Sequence, residues 1–69
     1  MKKLTARQME VLILVGKGLT NSQIAKELII TEHTVKAHLS ILYEVLDCSS
    51  KVQLTVNALK EKLITLNDI

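Results

Sequence analysis

The sequence predicts an all-α fold, a four-helix bundle with a helix-turn-helix formed by helices 2 and 3. Three observations lead there. The 69-residue chain has no proline and only Gly16 and Gly18 as glycines, so little interrupts helix formation. Hydroxyl residues followed three positions later by glutamine recur as Thr5–Gln8, Thr20–Gln23 and Ser50–Gln53, the spacing of a capping box. Apolar residues between these points repeat at helical spacing.

Helix 1 is expected from about Ala6 to Lys17, with Gly18 as a left-handed terminating residue. Helix 2 runs from about Asn21 to Leu28, with Ile24, Ala25 and Leu28 on one face. Helix 3 starts after Thr31, where Glu32 favours the positive end of the helix dipole. It continues to about Leu46, with Val35, Leu39, Leu42 and Leu46 as its apolar stripe. Helix 4 is expected over about Lys51 to Leu63, followed by a short tail. Here Val52, Val56, Leu59 and Leu63 form one stripe, while Leu54 and Ala58 lie on another side. The pattern leaves open which side is core. A chain this short forms one domain, 1–69, and a second apolar side on its last helix points to a partner copy.

Only Ile29, Ile30 and Thr31 join helices 2 and 3. So short a connection gives a steep crossing, with Ala25 allowing close approach and Ile30 filling the turn. Such a pair offers the first half of its second helix to the DNA major groove. With Val35 turned inward, Glu32, His33, Lys36, Ala37 and Ser40 are the outward candidates.

Charge gives weaker guidance. The net charge is +2, low for a DNA-binding domain. Residues 1–31 carry +3, from Lys2, Lys3, Arg7, Lys17 and Lys26 against Glu10 and Glu27. Residues 32–46 carry −1, from Lys36 against Glu32 and Glu44. The longest apolar run, Val11 to Val15, is far too short for a membrane span, and a cytoplasmic location is expected.

Other chemistries are poorly supplied. Cys48 is the only cysteine, so no disulfide framework is available, and a small semi-buried apolar role suits it. His33 and His38 are five residues apart on a helix and diverge by about 140°, so they do not converge on a metal. Tyr43 either packs among neighbours or brings its hydroxyl to a phosphate. There is no glycine-rich phosphate loop, carboxylate pair or nucleophile with a matched base. Neither an enzyme, a metal nor a cofactor is expected.

The combined stretches resemble the LuxR-type (GerE-type) helix-turn-helix family. They are Leu4-Thr5-Ala6-Arg7-Gln8 through Val11-Leu12, Gly18-Leu19-Thr20-Asn21-Ser22-Gln23-Ile24-Ala25, Leu28-Ile29-Ile30-Thr31, Thr34-Val35-Lys36-Ala37-His38, and Leu46 with Ser49-Ser50-Lys51. The resemblance covers about residues 4 to 64. It implies the output domain of a response regulator or small-molecule sensor, a transcription regulator that binds double-stranded DNA as a homodimer through helix 4. RNA polymerase is a further partner for such a regulator. The resemblance implies base contacts from Lys36, Ala37 and Ser40, with His33 beside them on the exposed face. It implies phosphate contacts from Asn21, Thr31, Thr34 and Lys51, and the helix 4 stripe Val52, Val56, Leu59 and Leu63 is the expected dimer interface.

The chain departs from the family where Gln8, Gln23 and Gln53 replace the usual glutamates, which leaves those helix starts more inviting to phosphate. It departs again at Ile41, where asparagine is frequent, and at Glu44 and Val45, where basic residues are usual. These changes keep an alternative in view: a helix-turn-helix protein-interaction module without strong DNA binding. A sigma-factor C-terminal domain shares the motif but accounts less well for helix 4.

Overall fold

A computed structural model describes residues 3–69; Met1 and Lys2, the latter counted in the N-terminal charge above, lie outside the described residues. Four helices follow one another: α1 (Ala6–Gly16), α2 (Asn21–Leu28), α3 (Glu32–Val45) and α4 (Lys51–Lys60), then a single 3₁₀ turn at Leu66–Asp68. No strand occurs among the described residues.

The helix starts lie where the hydroxyl residues put them. The Gln8 N–H donates to the Thr5 hydroxyl oxygen at 3.1 Å, and the Thr5 N–H donates to Gln8 Oε1 at 3.0 Å. Thr20 and Gln23 repeat this exchange at 3.2 and 2.8 Å. The third expected box is only half formed. Ser50 accepts from the Gln53 N–H at 3.1 Å, but the Gln53 amide turns away and donates to Asn57 Oδ1 at 2.7 Å. In α3, Thr31 accepts from the Thr34 N–H at 3.1 Å.

All four helices end by one backbone device. The N–H of a left-handed residue bonds three residues back, and the next N–H reaches five residues back, satisfying carbonyls that the helix itself leaves unpaired. Leu19, Ile30, Cys48 and Leu63 make the longer bonds to Leu14, Ala25, Tyr43 and Ala58 at 3.2, 2.9, 2.9 and 2.9 Å. The left-handed residues are Gly18 (φ 87°), Ile29 (φ 56°), Asp47 (φ 53°) and Lys62 (φ 59°). This shortens α4 relative to the sequence expectation: it stops at Lys60, and Leu63 lies in the turn beyond. The ends of α1 and α3 move by only one residue.

The core joins Val11, Leu12 and Val15 of α1 to Ile24 and Ala25, to Val35, Leu39 and Leu42, and to Leu46, Leu54, Ala58 and Ile64. α1 packs on each of the other helices, and α2 packs on α3. Leu54 and Ala58 are fully buried, whereas Val52 is 77% exposed, so the short side of α4 is the core side. The tail also packs. Ile64 is buried, and a Cβ added to Gly16 would meet the Ile69 side chain at 2.5 Å, so the absence of a side chain at Gly16 admits the chain end.

Candidate nucleic-acid interface

α3 presents two opposed faces. Val35, Leu39 and Leu42 are buried, while Glu32, His33, Lys36, Ala37, Ser40, Ile41 and Glu44 are exposed. At about 100° per residue, His33, Lys36, Ala37, Ser40 and Glu44 fall within an arc of about 100°. The four residues expected at base edges therefore lie together on the side away from the core. Ile41 extends that face on its Ala37 edge and is 44% exposed. His38 is half-buried on a different side.

The start of α3 carries a hydroxyl pair. Thr31 Oγ1 and Thr34 Oγ1 lie 3.0 Å apart, and Thr31 also caps the helix. One hydroxyl proton is used between them, whichever donates, so the pair retains one O–H for an outside acceptor. Ser22 and Lys26 of α2 border the same depression as Thr31 and Glu32. Both were missed from the sequence, where nothing marks them off from other surface polar residues. Their exposed position on α2, away from the buried Ile24, is the only signal.

The other phosphate candidates gather at the starts of α2 and α4. Asn21 is half-buried, and its Oδ1 is buried without a hydrogen-bond partner. That leaves its amide N–H₂ as the end suited to a phosphate oxygen. Lys51, also half-buried, borders a groove shared with Gly18, Leu19, Thr20, Val52 and Val56. The first turns of α2 and α4 contain no acidic residue, so neither helix start carries a negative charge that would oppose an anion. The candidates thus fall into two groups: Thr31 and Thr34 at the start of α3, and Asn21 and Lys51 at the starts of α2 and α4, where Thr20 and Lys51 border one groove.

The apolar stripe of α4 divides. Val52 and Val56 remain exposed, whereas Leu59 and Leu63 are half-buried and pack against the core. Leu63 is also outside the helix. Of the four residues expected at a dimer interface, only Val52 and Val56 are thus exposed. Val52 and Val56 line one shallow groove between α1 and α4 with Val15 and Leu19.

Tyr43 packs half-buried against the core, which decides for packing between its two readings. Burial, then the nearby Cys48, raises its pKa. Burial is also the main cause that raises the Cys48 pKa; the Asp47 charge adds to it and a Ser50 backbone hydrogen bond opposes it. A raised thiol pKa suits a packed cysteine rather than a nucleophile. Among the described residues, no three His, Cys, Asp or Glu side chains gather as a metal site requires. No helix there is long and apolar enough to cross a membrane.

Comparison with known proteins agrees with this architecture. The GerE family model, bacterial regulatory proteins of the luxR family, matches residues 2–58. The chain is 40% identical over 63 residues to the transcriptional regulatory protein LiaR of Bacillus subtilis (strain 168), covering 91% of this chain and 30% of that protein. It is 41% identical over 63 residues to the oxygen regulatory protein NreC of Staphylococcus haemolyticus, covering 91% and 29%. It is 39% identical over 61 residues to the response regulator protein VraR of Staphylococcus aureus, covering 88% and 29%. The crystal structure of the response regulator ChrA, from a heme-sensing two-component system, is similar with a TM-score of 0.89 at 36% identity, over 93% of this chain and 32% of that one. The chain thus spans about three-tenths of the length of these relatives. With four helices, a central helix-turn-helix and a family match over most of its length, this chain belongs to the luxR family of bacterial regulatory proteins.

Proposed function

We propose that the chain is a sequence-specific DNA-binding output domain of a transcription regulator. In this reading α3 enters the major groove and two copies pair through α4. The observation that carries it is the α3 face, where His33, Lys36, Ala37 and Ser40 stand together in solvent on a helix held from behind by a fully buried stripe. Lys36 serves a guanine edge, to which lysine donates in the major groove. The Thr31–Thr34 hydroxyls, Asn21 and Lys51 position the backbone through phosphate contacts, and Lys26 adds a cation beside Thr31. Val52 and Val56 supply the apolar centre of the two-fold contact, which sets two recognition helices about 34–36 Å apart.

Glu32 and Glu44, both exposed on α3, favour the second reading, a protein-interaction module that contacts another regulator or RNA polymerase. Gel-shift titration with a random-sequence duplex at low salt separates the two. The DNA reading predicts binding that weakens steeply with added salt. The protein-interaction reading predicts no retained duplex at any salt.

A further inference from the structure

Ile41 occupies a position that the recognition face does not explain. Three neighbouring apolar residues of α3, Leu39, Leu42 and Val45, are buried or half-buried, yet Ile41 is 44% exposed. It follows Ala37 by four residues, so the two side chains adjoin on the helix surface. Together they form an apolar edge beside Ser40, on the opposite border of the exposed face from Lys36. The rise between them is about 6 Å, close to two base steps at about 3.4 Å each. A branched aliphatic side chain offers a base edge no hydrogen bond. In the major groove the one apolar feature that distinguishes a base is the C5 methyl of thymine.

We infer that Ile41, with Ala37, selects thymine in the half-site by packing on its methyl group. The inference rests on the DNA-binding reading and adds a specificity-determining residue to it. Lys36 reads a guanine edge, and the Ala37–Ile41 edge reads thymine within about two base steps of it. Ile41 therefore turns the loss of a polar residue into a gain of discrimination for A·T pairs.

The test uses the 69-residue chain and a random-sequence duplex library at low salt. Each thymine of the enriched duplex is then replaced singly by deoxyuridine, which keeps base pairing and removes only the methyl. At one or two positions the wild-type chain should lose about three- to fivefold in affinity, the worth of one methyl contact. Ile41→Ser should lose nothing further on the same replacement, and Ile41→Val should retain the discrimination. Melting curves of both variants establish that they fold. An enriched duplex with no uracil effect on the wild type, or an equal effect on Ile41→Ser, overturns the role of Ile41 and leaves DNA binding standing. Failure to retain any duplex overturns the DNA reading and this inference with it.

Discussion

The Asn57 side-chain amide donates to the Leu46 carbonyl at 2.8 Å and so ties α4 to the residue that closes α3. Its Oδ1 is engaged as well, by the Gln53 amide at 2.7 Å. The bond holds the α3 end against α4 at the point where the left-handed Asp47 turns the chain. Asn57→Ala should lower stability by about 1–2 kcal/mol, because a part-buried carbonyl loses its partner. Chemical denaturation measures this, and an unchanged midpoint would mean that water replaces the amide without cost.

Ile29 is a β-branched residue in left-handed conformation and is 90% exposed. A left-handed L-residue costs about 1–2 kcal/mol, and Ile29 has little burial to offset it. Asparagine tolerates this conformation without the extra chain entropy of glycine. Ile29→Asn should therefore raise stability by about 1 kcal/mol and the Tm by about 4–8 °C. A lower Tm would reveal a contact from Ile29 that outweighs its strain.

Val52 and Val56 can be changed without opening the core. Val52→Glu should leave the melting temperature nearly unchanged, since surface substitutions stay within about 0.5 kcal/mol. The same variant should bind a single half-site like the wild type but lose cooperative binding to a palindrome. Equal cooperativity in the two chains would place the dimer contact elsewhere.

The Cys48 pKa lies above its ordinary value through burial and the Asp47 charge. A thiol raised on folding contributes stability that is complete below the unfolded pKa, about 8.5, and is lost as pH rises through the folded value. Stability should fall as pH passes above about 8.5, and the fall should be shallower in Cys48→Ala. Equal slopes in denaturation series at alkaline pH would remove Cys48 from the explanation.

Much of this was legible in the residues themselves. Thr5, Thr20, Thr31 and Ser50 marked the helix starts because the capping requirement is local. Gly18 marked an end for the same reason. Ile29, Asp47 and Lys62 did not, since nothing about those side chains advertises a left-handed backbone; tertiary packing imposes it. The length of α4 was misjudged accordingly. The core side of α4 was also hidden. Four apolar residues at helical spacing outnumber Leu54 and Ala58, but α4 docks on α1 through the narrower patch, where a small Ala58 permits close approach. On α3 the outward residues were correctly separated from the core because the Val35–Leu39–Leu42 stripe is unambiguous. Placing Ser22 and Lys26 beside Thr31 needed the fold, because they stand on α2 and Thr31 starts α3.

The central claim is that a two-fold pair of these domains grips DNA through α3. Binding to a full palindrome and to a single half-site across a salt series tests it most directly. With Lys26 and Lys51 each neutralising a phosphate in both copies, the palindrome should give a log–log salt slope of about −3.6, and the half-site about half that. Lys36→Ala should weaken palindrome binding by about 1–3 kcal/mol per base edge lost. Identical affinity and slope for palindrome and half-site, with no effect of Lys36→Ala, would contradict the account.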